Sequence, residues 1–219
     1  MINIKTTVIN NGIKLTEYTD GLLFGTDALL LTRFVKGGAR KKGVDIGTGS
    51  GPISLILLAE NKAAHMTGIE IQPRYAELAV ENAKANGFGD RFTAVCGDAK
   101  APHGLYPAGE ADFAVSNPPF MKAASGKYNA TDAKTIARHE EFLPPNELCA
   151  AASLFIKYGG SFYVVYRPER ICTLITAMKE NGMEPKRICF VGATEKCSLV
   201  LVEAKKGGAE GAEISFMKI

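Results

Sequence analysis

Short apolar runs alternate with segments of helical spacing along most of the chain after residue 42. The runs predict strands over residues 43–46, 65–71, 91–96, 111–116, 161–166, 187–191 and 197–204. Between them, apolar positions three and four residues apart predict helices over residues 52–61, 73–86, 144–158 and 168–181. Such alternation is typical of an α/β fold whose mostly parallel sheet has helices on both faces. The last two strands are joined by a short loop and must pair antiparallel, so we expect seven strands with an antiparallel edge.

The first forty residues follow a different pattern. Asn11-Gly12 lies between alternating apolar residues, which is typical of a β-hairpin. Residues 26–35 have helical spacing, with Thr26 as the predicted N-cap and Asp27 near the positive end of the helix. We expect one domain over residues 1–219, in which residues 1–40 cover a ligand site on the core formed by residues 41–219.

Composition excludes several classes of protein. The 219 residues are 46% hydrophobic and 22% charged, which is ordinary for a globular domain. No apolar run reaches the roughly 20 residues of a membrane span, and the first residues lack the features of a signal peptide, so we expect a cytoplasmic protein without membrane contact. The five cysteines form no Cys-x-x-Cys pair and the three histidines are scattered, so we expect neither a disulfide framework nor a metal site.

A glycine-rich turn follows the first core strand, and its residues are Asp45, Ile46, Gly47, Thr48, Gly49, Ser50 and Gly51. In an open α/β sheet this turn is where a nucleotide-like cofactor binds. The spacing Gly-x-Gly-x-Gly differs from the Gly-x-Gly-x-x-Gly of dinucleotide sites, although the turn alone leaves both kinds of cofactor open. Asp45 favours a ligand with a cationic group, because its carboxylate would repel a pyrophosphate.

Two further acids follow the next strands. Glu70 ends the second core strand, where a carboxylate can accept hydrogen bonds from two ribose hydroxyls. Asp98 follows the third core strand and can accept a hydrogen bond from an adenine amino group. Together with the glycine turn, these acids favour S-adenosylmethionine, which has an adenosine moiety and no phosphate.

The fourth core strand is followed by Asn117, Pro118, Pro119 and Phe120. Consecutive prolines hold the backbone extended. The side-chain carbonyl of Asn117 and the backbone carbonyl of Pro118 can then both accept hydrogen bonds from one NH2 group, which makes its nitrogen nucleophilic. Phe120 offers an aromatic face on which a base can stack. This motif predicts transfer of a methyl group to a planar amine or amide nitrogen.

These motifs resemble those of the seven-stranded, Rossmann-like amino-methyltransferases. Residues 20–30 and 137–140 are similar to a narrower group, the valine-tRNA adenine-N6-methyltransferase family, as are residues 167–170 and 184–187. The resemblance implies N6-methylation of an adenine in tRNA, with an anticodon-loop base as the expected target. It also implies S-adenosyl-L-methionine contacts by Thr26, Asp27, Asp45, Gly47, Thr48, Gly49, Gly51, Glu70, Ile71, Asp98, Ala99 and Asn117.

Substrate contacts are expected from other positions. The resemblance implies that Asn117 to Phe120 hold the target amine, and we expect Lys122 and Arg138 to contact the substrate. Arg138 fits an ion pair with a neighbouring glutamate equally well. Residues 121–142 lack clear periodicity, which is typical of a functional or mobile loop. Candidate RNA contacts are the N-terminal hairpin, Arg40, Lys41, Lys42, Lys122, Lys127, Lys134 and Arg138.

Three alternatives stay open at this point. Enzymes that methylate a glutamine side chain of release factors share the Asn-Pro-Pro-aromatic motif, but they usually carry a helical domain before the glycine turn. About forty residues precede Asp45 here, which favours a base as the substrate. A catalytically idle S-adenosylmethionine-binding module is disfavoured by Asn117 and Phe120, and a nicotinamide dehydrogenase by the glycine spacing. The sequence leaves a monomer and a homodimer equally open.

Overall fold

The computed structural model describes residues 4–21, 23–118, 143–194 and 196–219. Pro119, Phe120, Lys122 and Arg138 lie outside these ranges, as does the long segment over residues 121–142. The predictions made for those residues therefore stay predictions.

Within the described residues, ten strands form two sheets. Their bounds are β1 Ile4–Val8, β2 Lys14–Tyr18, β3 Lys42–Ile46, β4 His65–Glu70, β5 Phe92–Cys96, β6 Ala111–Ser116, β7 Ile156–Tyr166, β8 Met183–Gly192, β9 Leu199–Lys206 and β10 Glu213–Lys218. The hairpin β1–β2 is antiparallel, as the Asn-Gly signal predicts. The other eight strands form one sheet in the order β10-β8-β9-β7-β6-β3-β4-β5, in which β9 is antiparallel to both of its neighbours.

Five α-helices in the described part of the chain cover the large sheet. They are α1 Thr26–Phe34, α2 Pro52–Ala59, α3 Pro73–Ala85, α4 Pro145–Phe155 and α5 Ile171–Glu180. Helices α1, α2 and α3 share one hydrophobic core with one face of the sheet, and α4 and α5 share a second core with the other face. Alternate residues of each strand enter opposite cores: Phe113 and Val115 belong to the first, and Ala114 to the second. The predicted α/β class is confirmed.

The sheet differs from the expected one at its end. An eighth strand, β10, pairs in parallel with β8, so the antiparallel strand β9 lies inside the sheet rather than at its edge. Only Met217 of β10 packs on a core, and the apolar Ile214 and Phe216 are exposed. Because the sequence signal for a strand depends on burial of one face, the pattern did not predict this strand.

Two asparagines attach the hairpin to α3. The backbone of Thr16 donates to Asn82 Oδ1 (3.0 Å) and accepts from Asn82 Nδ2 (2.9 Å), and the backbone of Lys14 exchanges the same pair of bonds with Asn86. These residues lie four apart, on one face of the helix. Their amides therefore replace the partner strand that β2 lacks on that edge. Asn82 also donates to the carbonyl of Ser50 (2.9 Å), which links the hairpin to the glycine turn.

Candidate active site

A cavity of about 430 Å³ opens at the carboxyl ends of β3, β4, β5 and β6. Strand ends of this kind are the usual ligand position in an open α/β sheet. The structure brings ten of the predicted site residues together on its wall: Asp27, Gly47, Thr48, Gly49, Glu70, Ile71, Asp98, Ala99, Asn117 and Pro118. Three other predicted residues, Thr26, Asp45 and Gly51, are not on the wall.

Thr26 and Gly51 each lie at the beginning of a helix beside the wall. Thr26 is the first residue of α1 and makes no capping hydrogen bond, since Gly25 occupies the N-cap position. Gly51 is the N-cap of α2. Its φ of 88° favours glycine, and a Cβ added there would lie only 3.3 Å from the Cβ of Ala79. Because Gly25, and not Thr26, is the N-cap of α1, the predicted capping role of Thr26 is wrong.

Asp45 lies behind the glycine turn and is fully buried. Its Oδ2 accepts hydrogen bonds from the hydroxyls of Thr48 and Ser54, both at 2.8 Å, and its Oδ1 has no partner among the described residues. Burial raises the pKa of Asp45 to about 6, against the opposing effect of the two hydroxyls. Asp45 therefore holds the glycine turn through these hydrogen bonds. The sequence motif predicts that Asp45 contacts a ligand, but the residue does not lie on the cavity wall.

The glycine turn bends sharply over the end of β4. Gly47 and Gly49 have φ values of 78° and 56°, which side chains other than glycine rarely adopt. The backbone N–H groups of Gly47 and Thr48 donate to the carbonyl of Ile69, at 2.9 and 3.1 Å. This geometry brings the backbone of the turn directly against the cavity.

Glu70 holds the glycine turn through its carboxylate. Its two carboxylate oxygens accept hydrogen bonds from the backbone N–H of Gly49 and of Gln72, both at 2.9 Å, and the residue is only 7% exposed. Burial raises the pKa of Glu70, while these backbone bonds oppose the shift. Because each carboxylate oxygen has two lone pairs, Glu70 can still accept hydrogen bonds from a ligand in the cavity.

Asn117 projects from the end of β6 onto the cavity wall. Its side-chain Oδ1 is buried and has no hydrogen-bond partner within the described part of the chain. The preceding Ser116 donates to the carbonyl of Ile46 (2.7 Å), which fixes the end of β6 against β3. A buried amide oxygen without a partner is costly, so this position is suited to a ligand N–H.

Glu17 and residues 23–25 form a roof over the cavity. The sequence predicts that residues 1–40 cover the site but singles out none of these four as a ligand contact. Glu17 is only 5% exposed, and its Oε1 accepts a hydrogen bond from the backbone N–H of Phe24 (2.6 Å). Burial raises the pKa of Glu17. A Cβ added to Gly21 would lie 1.7 Å from the hydroxyl of Tyr75, so only glycine fits beside that ring. One sequence signal was available, because Glu17 is an acid at an apolar position of the alternating strand β2.

Tyr75 and Arg167 are further wall residues that the sequence did not single out as ligand contacts. Tyr75 packs edge-on against Tyr18 of the hairpin at 5.3 Å, and Arg74 stacks over both rings while it pairs with Asp20. Arg167 follows β7 and donates to the carbonyl of Ser198 (3.2 Å). Their roles depend on contacts between distant segments, which no local pattern encodes.

One cluster of candidate RNA contacts lies at the opposite edge of the sheet from the cavity. Arg40, Lys41 and Lys42 are exposed and precede or begin β3, so they lie at the amino end of the sheet. The cavity lies at the carboxyl end, one strand length away. RNA bound in the cavity would reach this cluster only if it also passed around the sheet.

No helix among the described residues is long and apolar enough to cross a membrane. Across the same residues, no three side chains of His, Cys, Asp or Glu gather in a way that could hold a metal ion.

Comparison with known proteins gives a consistent result. Residues 19–179 match the family model described as "Methyltransferase small domain". A protein of Porphyromonas gingivalis named tRNA1(Val) (adenine(37)-N6)-methyltransferase is 36% identical over 153 residues, which cover 67% of this chain and 59% of that protein. A Bacteroides fragilis protein of the same name is 29% identical over 184 residues, covering 80% of this chain and 75% of that one. The chain thus spans about six-tenths of the length of the P. gingivalis relative.

Solved structures share the fold at low sequence identity. A predicted O-methyltransferase from Agrobacterium tumefaciens has a TM-score of 0.65 and 20% identity, covering 88% of this chain and 86% of that one. The geranyl diphosphate C-methyltransferase of Streptomyces coelicolor, solved with S-adenosyl-L-homocysteine, has a TM-score of 0.59 and 14% identity, covering 82% and 78%. These matches cover 82–88% of this chain and show a shared fold.

Proposed function

We propose a function for this chain, which belongs to the methyltransferase small domain family. It uses S-adenosyl-L-methionine to methylate N6 of an adenine in tRNA. The observation that carries the proposal is the unpartnered, buried Oδ1 of Asn117 on the wall of a cavity whose other strand ends present Glu70 and Asp98. The names of the P. gingivalis and B. fragilis relatives support the choice of tRNA and of adenine N6.

The charge of the cavity fits this cofactor. Its described wall contains four carboxylates, Glu17, Asp27, Glu70 and Asp98, and one cationic side chain, Arg167. Such a wall would repel the pyrophosphate of a dinucleotide, whereas S-adenosylmethionine carries a sulfonium and an ammonium group. This excess of acids argues against a nicotinamide dehydrogenase independently of the glycine spacing.

Individual residues fit parts of the cofactor. We assign Glu70 to the ribose hydroxyls, since it lies on the cavity wall and has lone pairs left to accept further hydrogen bonds, and Asp98 and Ala99 to the adenine. Gly47, Thr48 and Gly49 then face the sulfur and the methionine moiety, with Asp27 above them. Residues 1–40 act as a cover, because the hairpin and α1 carry the roof.

The chemistry requires little of the protein beyond orientation. When bound, S-adenosylmethionine supplies an electrophilic methyl group on a positively charged sulfur. Asn117 Oδ1 and the carbonyl of Pro118 accept hydrogen bonds from the two N–H groups of the target amine. These hydrogen bonds direct the nitrogen lone pair at the methyl carbon. The amine proton is lost after transfer, so a strong general base is not needed. Pro119 and Phe120 complete the motif, and we assign Phe120 to stacking on the base.

The target base must leave its stack to enter the cavity. Extrusion costs least for an unpaired base, and anticodon loops present bases that are already unstacked. We therefore propose an anticodon-loop adenine in tRNA, and consequently a reaction in the cytoplasm.

The decisive experiment is incubation of the protein with radiolabelled S-adenosylmethionine and total tRNA, followed by nucleoside analysis. We expect N6-methyladenosine as the labelled product. Asn117→Ala should lose most of the turnover while it keeps its affinity for the cofactor, because the side chain contacts the amine and not the adenosine. Label in a protein glutamine instead of RNA would favour the second candidate, since an amide presents the same NH2 group. Cofactor binding without transfer to either would leave only a binding module.

A further inference from the structure

We infer that the RNA next to the target base lies across one side of the cavity mouth, on a basic ridge formed by Arg167, Lys196 and Lys218. This inference rests on the proposed function and adds a surface to it. Lys196 and Lys218 are exposed, and Arg167 is half-buried at the cavity wall.

The three residues lie on the same edge of the sheet as the cavity. Strands β7, β8 and β10 run parallel to one another, since β9 is antiparallel to β7 and β8 while β10 is parallel to β8. Arg167 directly follows β7, Lys196 lies in the loop between β8 and β9, and Lys218 ends β10. All three therefore lie at the carboxyl edge, where β6 presents Asn117.

Backbone contacts join the ridge into a continuous surface. Arg167 Nη1 donates to the carbonyl of Ser198, at the end of the loop that holds Lys196. That loop folds back tightly on Gly192, where an added Cβ would lie 2.6 Å from the carbonyl of Lys196. Gly192 is in turn paired with Lys218, and its carbonyl accepts from the N–H of Ile219 (3.2 Å). The ridge thus extends without a gap from the cavity wall to the edge strand.

The charges on the two sides of the cavity mouth differ. On the β4–β5 side, Arg74 pairs with Asp20 and Lys100 pairs with Asp98, so those cations are neutralised. On the ridge side, neither Lys196 nor Lys218 forms an ion pair with any residue that the structure describes. Exposed lysines that take no part in the described ion pairs are a typical surface for a phosphate backbone. One exposed acidic side chain, Glu169, lies two residues after Arg167 in the sequence and adds a negative charge near this end of the ridge.

The dimensions and the exposed apolar residues agree with a single strand of RNA. From β7 to β10 the ridge crosses three strand spacings, roughly 14 Å, which corresponds to about four nucleotides of a stacked strand. Phe216 is 51% exposed and lies on the same face of β10 as Lys218, two residues away. An exposed aromatic ring beside a lysine is the combination on which unpaired bases stack.

The test compares two double variants that remove the same charge from opposite edges of the sheet. Lys196→Gln with Lys218→Gln removes charge from the ridge, and Arg40→Gln with Lys41→Gln removes it from the amino edge. Binding of each protein to tRNA, with S-adenosylhomocysteine present, is measured over a range of KCl concentrations. Affinity for S-adenosylhomocysteine alone, measured by calorimetry, reports that each variant is folded.

The ridge variant should bind tRNA roughly 25-fold more weakly at 0.1 M salt, with the slope of log affinity against log salt reduced by about 1.4, because two phosphate contacts are lost. The amino-edge variant should match the wild type in both quantities. A ridge variant with the slope of the wild type overturns the inference, and so does an equal loss in both variants. If the wild type itself shows no salt-dependent binding to tRNA, the proposed substrate fails, and the ridge fails with it.

Discussion

Replacing Asp45 by asparagine should change how the free energy of unfolding depends on pH. The carboxyl of Asp45 is fully buried, and its pKa is raised from 3.8 to about 6 by loss of hydration. A difference of about two pKa units corresponds to roughly 3 kcal/mol between the protonation states. The raised pKa means that the folded protein holds this proton more tightly than the unfolded chain does.

The sign of the effect is set by that difference. Stability from the raised pKa of Asp45 is fully present below pH 4 and is lost as the pH rises through about 6. Asparagine keeps an oxygen that can accept from the hydroxyls of Thr48 and Ser54, but it has no charge to titrate. We therefore expect the stability of Asp45→Asn, relative to the wild type, to improve by roughly 2–3 kcal/mol between pH 4 and pH 7.

The measurement is urea unfolding at a series of pH values, with both proteins free of cofactor. Asp112→Asn is the matched control, because the ion pair with Lys157 and the backbone N–H of Lys42 lower the pKa of Asp112 despite its partial burial. Its stabilising effect is present above pH 4 and is lost as the pH falls, so its difference curve should have the opposite slope. Parallel curves for Asp45→Asn and the wild type would refute the reasoning, since they would mean that Asp45 titrates normally in the folded protein.

Three further predictions concern the cavity and its roof. Glu70→Ala should weaken S-adenosylmethionine at least tenfold by calorimetry, because charge-assisted hydrogen bonds contribute roughly 1.5–3 kcal/mol each; unchanged affinity would remove Glu70 from the site. Gly21→Ala should lower cofactor affinity through the clash with the hydroxyl of Tyr75, and adding Tyr75→Phe should restore part of it; the absence of any restoration would place the damage elsewhere. Asn82→Ala should reduce the free energy of unfolding by about 2 kcal/mol, because this buried side chain loses three hydrogen bonds. An effect in urea unfolding no larger than that of a surface substitution would argue against the anchoring role.

Much of the cofactor side of the cavity could be predicted because its residues lie at strand ends. Gly47, Glu70 and Asp98 each lie at or just after the end of a core strand, and parallel strands bring their carboxyl ends together whatever the detailed packing. The roof could not be predicted in this way. Glu17 and Tyr75 are far apart in the sequence, and only the docking of the hairpin on α3 brings both to the same cavity.

Hydrophobic periodicity and turn residues by themselves determined the α/β class, the N-terminal hairpin and the order of the seven buried strands along the chain, because burial of a strand or helix face leaves a repeating local signal. Tertiary structure alone decided the place of β10 and the position of Asp45 behind the turn. An exposed edge strand leaves no alternating pattern, and a carboxylate in a turn has the same sequence whether it faces a ligand or two hydroxyls.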